Sequence, residues 1–325
     1  MVRLARLTEP RLVKMSSVLG DGKEYNLFMQ NQILDNSGSE HAGRLVSIGD
    51  TRLYVVERGQ GYPLILLHGG PGLDHHEFGN YLDPLADAYR LILVDQRGQG
   101  GSDRVSKDTL SLAQMAADVV SLAAALELEQ YAVLGHSYGA LVALQNAVDY
   151  PGQAAQTIIS SGFPSARFLA QVEQNLKNFE PRELRQQVAD SWARELQAQT
   201  PEDVAELLRD QLPFHFADPR DPHIEEFQER TRGEIYSAEV LRHFASQDYG
   251  GIEVEDRLNT IPQPVLVLAG RHDRTCSVQA AQAIAQGVPD AELVVFENSA
   301  HMSYVEENEG YLQVVREFLD RRRED

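Results

Sequence analysis

The pentapeptide Gly135-His136-Ser137-Tyr138-Gly139 follows an apolar run, Tyr131 to Leu134, and leads straight into a helical stretch, Ala140 to Val148. A serine on such a strand-to-helix turn has strained backbone angles that expose its hydroxyl, and glycines two residues to either side let strand and helix approach closely. That context separates the motif from an ordinary tight turn with the same letters. A serine hydroxyl is a poor nucleophile at neutral pH, so chemistry here demands a base within hydrogen-bond reach and a third group that holds the base's tautomer. With the nucleophile on an elbow of this kind, the acid follows in the chain and the histidine comes last. Asp273, after the apolar run Val265 to Ala269, and His301, after Leu293 to Phe296, satisfy that order. The expected chemistry is acyl transfer, with Ser137 as nucleophile, His301 as base and Asp273 orienting the base.

Acyl transfer also needs donors for the oxyanion, commonly the main-chain N–H after the nucleophile and one from a loop after an early strand. Tyr138 supplies the first. His68-Gly69-Gly70-Pro71-Gly72, directly after Leu64 to Leu67, supplies the second, and Gly70 is the expected donor because a missing side chain lets substrate approach. No Gly-Lys-Ser/Thr follows, so the stretch is not a phosphate loop. His272 precedes the last strand and is out of order for the base. His75 and His76 lack the Cys or carboxylate spacing of a metal site and are expected to be exposed. His215, His223 and His243 either line a pocket or face water. Asp95, the rival acid, stands beside Gln96-Arg97-Gly98 and is expected to fix loop structure. Neither metal nor organic cofactor is expected.

These residues need a frame that brings distant segments together. From Arg44 onward the pattern is regular. Leu45 to Ile48 and Leu53 to Val56 flank a Gly49-Asp50 turn and read as an antiparallel hairpin. The short apolar runs Leu64 to Leu67, Leu91 to Val94, Tyr131 to Leu134, Thr157 to Ile159, Val265 to Ala269 and Leu293 to Phe296 read as strands buried on both faces. Helical stripes lie between them: Leu112, Met115, Val119, Leu122 and Leu126, and near the end Tyr311, Val315, Phe318 and Leu319. The alternation implies an α/β fold, a mostly parallel sheet covered by helices on both faces. It is interrupted over residues 163 to 250, polar and helical with breaks such as Asp218-Pro219-Arg220-Asp221-Pro222, which is expected to form a helical cap. The core is then 44 to 162 with 251 to 325, and 1 to 43 is an N-terminal extension.

The chain has 325 residues, 49 acidic and 29 basic, for a net charge of −20. That balance opposes nucleic acid and anionic membrane surfaces as partners; the acyl-transfer chemistry expected above calls for a small-molecule or short-peptide substrate. The single cysteine, Cys276, cannot pair within the chain. There is no run of eighteen apolar residues and no apolar stretch typical of a signal peptide, so a cytoplasmic location is expected.

With these pieces in place, the chain resembles the proline iminopeptidase family of α/β-hydrolases, including the tricorn-interacting aminopeptidases, from about Arg44 to Leu319. The most specific elements are His68-Gly69-Gly70-Pro71-Gly72 and Asp95-Gln96-Arg97-Gly98-Gln99-Gly100-Gly101-Ser102, with His301 through Glu309-Gly310-Tyr311 similar to the tricorn-interacting branch. The resemblance implies an α/β-hydrolase fold, a triad of Ser137, Asp273 and His301, an oxyanion hole of Gly70 and Tyr138, and release of an N-terminal proline or other small apolar residue. The chain departs from the family's Gly-Gly-Ser-Trp-Gly elbow at His136 and Tyr138. Where tricorn-interacting members hold the substrate amine with glutamates, one just after the triad aspartate and one in the cap, this chain has Arg274 and, near the second, Arg242-His243. A guanidinium there would repel an ammonium and favour a carboxylate or carbonyl oxygen. Arg274, His243 and Glu234 are therefore the candidate substrate-binding residues, with Glu225, Glu226 and Glu239 as further possible anchors in the cap. A carboxylesterase or lactonase on the same triad is the alternative activity, and a catalytically silent binding protein is the alternative of another class.

Overall fold

A computed structural model describes residues 12–13 and 43–321. Apart from Leu12, Val13 and Gly43, the N-terminal extension lies outside the described residues. The strands are β1 (Leu12–Val13), β2 (Arg44–Ser47), β3 (Arg52–Arg58), β4 (Tyr62–Leu67), β5 (Tyr89–Asp95), β6 (Ala132–His136), β7 (Gln156–Ser160), β8 (Val265–Gly270) and β9 (Ala291–Phe296). They form one sheet in the order β1-β9-β8-β7-β6-β4-β5-β3-β2. The β2–β3 and β3–β5 pairings are antiparallel and every other pairing is parallel. The mostly parallel sheet is what the alternation of apolar runs and helical stripes implies, and its architecture is the α/β-hydrolase fold that the resemblance implies.

From β4 the chain steps outward to β5, then crosses back to lay β6 against the other side of β4, with Leu67 opposite Gly135. That reversal opens a crevice at the carboxyl ends of β4 and β6, the place where open α/β sheets bind ligands. The residues leading out of those two strands are His68-Gly69-Gly70 and Ser137.

Helices α1 (Leu112–Ala125), α2 (Tyr138–Asp149) and α8 (Val278–Gly287) cover one face, joining the same hydrophobic cluster as Val133, Ile159 and Val267. On the other face, the short α9 (Ser303–Glu306) precedes α10 (Asn308–Arg321), which buries Tyr311, Val315, Phe318 and Leu319 against Leu66, Leu134 and Leu268. The period-2 geometry of the strands explains the split: Val133 and Leu134 are neighbours in sequence and belong to opposite cores.

Between β7 and β8 the chain runs through α3 (Leu169–Lys177), α4 (Arg182–Arg194), α5 (Pro201–His215), α6 (His223–Arg230) and α7 (Ala238–Ala245). This segment has two small apolar clusters of its own, one around Val204, Leu207 and Leu241, the other around Phe179, Val188 and Phe214. Helix α5 starts at a capping box in which the Thr200 hydroxyl accepts the Asp203 N–H and the Asp203 carboxylate accepts the Thr200 N–H. Among the described residues, no helix is long and apolar enough to cross a membrane.

Candidate active site

Ser137 ends β6 and begins α2 with φ 52° and ψ −116°, a left-handed conformation that a non-glycine residue adopts only under constraint. The constraint is visible on both sides. A Cβ on Gly135 would run into the Gly139 carbonyl, and a Cβ on Gly139 into the Leu67 carbonyl, so only glycine allows strand, elbow and helix to close up. The N–H of Tyr138 is the first of α2 and has no acceptor within the helix by position. The Tyr138 ring turns inward, its hydroxyl meeting Met115 Sδ at 3.2 Å.

His301 and Asp273 leave the ends of β9 and β8. Asp273 Oδ2 lies 2.9 Å from His301 Nδ1, both residues being buried. The other oxygen of Asp273 accepts the N–H groups of Thr275 and Cys276 and the Thr275 hydroxyl, each at 2.8 Å. Burial opposes ionisation of this carboxyl, but the adjacent imidazole and these donors overcome it and hold the pKa at about 2. Asp273 is thus a fixed anion that favours the Nδ1–H tautomer of His301, leaving Nε2 free to accept a proton. Three more contacts seat the histidine: its N–H donates to His215 O at 3.0 Å, its carbonyl accepts from the Ser161 hydroxyl at 3.1 Å, and its ring lies 5.0 Å from those of both His136 and His215. Burial, and then His301 itself, lowers both neighbours, His215 to about 3, so both stay neutral.

The loop after β4 is pinned by side chains. His68 Nδ1 lies 2.8 Å from Gly69 O and its Nε2 accepts the Gln96 N–H at 3.2 Å, while the Glu77 carboxyl accepts the Gly69 N–H. Gly70 follows with φ 106° and forms a cis bond to Pro71. Asp95 is buried beneath the loop, where it accepts the His75 and Gly101 N–H groups and contacts the His75 ring at 2.6 Å. It serves loop structure, as expected. The same contact corrects the expectation for His75, which is buried rather than exposed, and His76 is half-buried on Asp74 because buried carboxylates recruit the two rings.

Ser137, His301, Gly70 and Tyr138 all line one cavity of about 660 Å³. Its walls combine apolar residues of the inserted helices, among them Leu169, Trp192, Leu208, Leu212 and Phe227, with the acidic residues Glu77, Glu173, Glu195, Glu234 and Asp248. An elbow hydroxyl and an imidazole hydrogen-bonded to a carboxylate thus line the same cavity as Gly70 and Tyr138, the kinds of group that acyl transfer requires.

The α/β hydrolase fold family matches residues 62–308. A proline iminopeptidase from Lactiplantibacillus plantarum is 30% identical over 79% of this chain and 91% of its own length. The chain belongs to the proline iminopeptidase family of α/β-hydrolases. It is a hydrolase. Among solved structures, a proline iminopeptidase from Mycobacterium smegmatis is similar with a TM-score of 0.68 at 25% identity, covering 86% of this chain and 98% of its own. An alpha/beta fold family hydrolase from Bacillus anthracis str. Sterne shares the fold, with a TM-score of 0.72 at 21% identity, covering 85% of this chain and 98% of its own.

Two residues at which this member departs from the proline iminopeptidase pattern stand away from the cavity lining, correcting their assignment as substrate ligands. The Arg274 guanidinium donates to the carbonyls of Phe214 at 3.1 Å, Phe216 at 2.6 Å and Ala217 at 3.0 Å, and it stacks on Phe179. These acceptors lie at and just beyond the C-terminal end of α5, where carbonyls lack helical partners and a cation is favoured. His243 Nε2 lies 2.8 Å from Leu110 O, on the side toward α1. Glu234 does line the cavity, hydrogen-bonded to the Tyr236 hydroxyl, and burial pushes its carboxyl up to about 7. Glu225, Glu226 and Glu239 are exposed and outside the cavity lining. Glu195 was not singled out from sequence. It is buried, Gln211 Nε2 donates to it at 2.8 Å and the Tyr249 hydroxyl at 2.6 Å, yet it still reaches the cavity. Its exposed neighbours Leu196 and Gln197 give no local signal of that role.

Proposed function

We propose that this hydrolase is a serine aminopeptidase of the proline iminopeptidase type, releasing an apolar N-terminal residue from short peptides through an acyl-enzyme. Ser137 Oγ attacks the scissile carbonyl carbon while His301 Nε2 takes the hydroxyl proton. The oxyanion that develops is met by the N–H groups of Tyr138 and Gly70. The C–N bond then breaks as His301 returns the proton to the leaving amine, and water repeats the sequence to free the acid. Asp273 stays ionised throughout and keeps the imidazole oriented.

The observation that carries the amine preference is the acidic lining of the cavity: Glu173, Glu195, Glu234 and Asp248 face it, against Arg209 and Arg232, and an ammonium placed there offsets the burial that raises the Glu195 and Glu234 carboxyls. A substrate ammonium is favoured in such a space and a carboxylate is not. The ester or lactone reading drew its support from Arg274, whose guanidinium is engaged by three main-chain carbonyls elsewhere. The volume suits an apolar residue larger than proline as well.

The test compares proline and leucine arylamides, their N-acylated forms, and short acyl esters. Free-amine arylamides are expected to be turned over with the highest kcat/KM, and activity confined to N-blocked substrates or esters would remove the aminopeptidase. Ser137→Ala is expected to abolish turnover and labelling by a fluorophosphonate. A wild-type protein that resists that label would instead point to a binding protein on this fold. Glu195→Gln should raise KM for free-amine substrates about tenfold, a loss of roughly 1.4 kcal/mol, and leave N-acylated ones unchanged.

A further inference from the structure

Glu77 is a buried acid that none of the steps above uses. It belongs to a 3-10 turn (His75–Phe78) whose N-terminus is capped by the Asp74 side chain, and the Tyr304 hydroxyl donates to its main-chain oxygen at 3.0 Å. Its carboxyl reaches the cavity that holds Ser137, and Oε2 accepts the Gly69 N–H. A Cβ built on Gly69 would lie 3.1 Å from Glu77 Oε2 and 3.1 Å from Ser137 Cβ, so the Gly69 backbone is wedged between the two side chains. The carbonyl of Gly69 is meanwhile held by His68 Nδ1. In a trans peptide the C=O and the following N–H point in opposite directions, so fixing Gly69 at both ends fixes where the Gly70 N–H points.

We propose that Glu77 is a positioning residue for the oxyanion loop, holding Gly69 so that the Gly70 N–H stays aimed at the reacting carbonyl oxygen. This rests on the reading of Ser137 and Gly70 given above. The groups facing Glu77 are Asp74 on its own turn, with His76 seated on that aspartate, Glu234 from the segment before α7, and the Tyr304 phenol. Among the described residues no lysine or arginine pairs with it. Burial, with Glu234 and Asp74 adding to it against the pull of the Gly69 N–H, pushes the carboxyl up to about 8. Below that pH the side chain does its work neutral. Above it, an anion stands next to the place where the substrate oxygen becomes negative and opposes it.

The experiment is a set of kcat and KM profiles from pH 6 to 10 on a responsive arylamide, for wild type, Glu77→Gln and Glu77→Leu, with fluorophosphonate labelling rates alongside. Wild-type kcat should fall with an apparent pKa near 8. Glu77→Gln keeps an acceptor for the Gly69 N–H and cannot ionise, so kcat at pH 7 should drop only about threefold to tenfold and the alkaline fall should vanish. Glu77→Leu removes the acceptor and should lower kcat by ~10- to 100-fold with a much smaller change in KM. A Gln variant that keeps the wild-type alkaline limb, or a Leu variant with wild-type kcat, would overturn the proposal; if the Leu variant does not fold, the Gln profile decides alone. A wild type that is neither labelled nor active would sink the reading of Ser137 and this proposal with it. A labelled wild type with an unaltered Gln profile sinks this proposal only.

Discussion

His301 lies between two other imidazoles, His136 and His215, each with its ring centroid 5.0 Å away. Burial keeps both neighbours neutral, so they pack the ring without a positive charge that would discourage it from taking a proton. Among the described residues the only fixed charge bonded to it is Asp273, held ionised by the Thr275 and Cys276 donors. Asp273→Asn keeps the shape but presents an amide that favours the wrong tautomer, and kcat should fall by about 10³- to 10⁴-fold with KM little changed, as steady-state kinetics would read. Ser137, Asp273 and His301 were legible because each follows an apolar run that ends at the same edge of the sheet. His215, Ser161 and Thr275, whose hydroxyl lies 2.8 Å from His301 Nδ1, were not, since their contacts with His301 come from the meeting of separate segments and leave no pattern in the local sequence.

At the scale of elements, the strands were readable from their continuous apolar runs, and α1 and α10 from their stripes. Only β1 was missed among the described strands: two residues, Leu12 and Val13, paired with Leu293 and Val294, carry no periodicity to detect. The insertion was legible as helical, but its join to the sheet was not. Residues 214 to 217 are held on all sides: three carbonyls by Arg274, the His215 carbonyl by the His301 N–H, and the Ala217 N–H by Glu306 at 2.8 Å. Glu306 also accepts the Ala300 N–H at 2.8 Å, next to His301. Arg274→Met would free three half-buried carbonyls and should cost about 2 kcal/mol in urea unfolding. The preference for free-amine over N-acylated substrates should not change, because the guanidinium does not face the cavity.

At the scale of the whole molecule, several buried or half-buried carboxyls form no salt bridge among the described residues. Glu77 is pushed up to about 8, Glu234 and Glu306 to about 7, all chiefly by burial, from an ordinary value of 4.5. Each binds its proton more tightly folded than unfolded, so its contribution is fully present below about pH 4.5 and is lost as pH rises through 7 to 8. Asp273 acts oppositely: its contribution is present above 3.8 and is lost as pH falls through about 2. Thermal melts should therefore show Tm declining from pH 5 to 8.5, and Glu306→Gln should flatten that decline by on the order of 1 kcal/mol of stability. The bolting of residues 214 to 217 also limits how such an enzyme can be reshaped. A roof transplanted from a relative with its borders placed beyond Ala217 would replace the segment that accepts the His301 N–H and unseat that imidazole. Grafts confined to α3 and α4 leave those hydrogen bonds in place only if they keep Val188 and Trp192, which pack on Phe214, and Asn175, which donates to the Arg274 carbonyl.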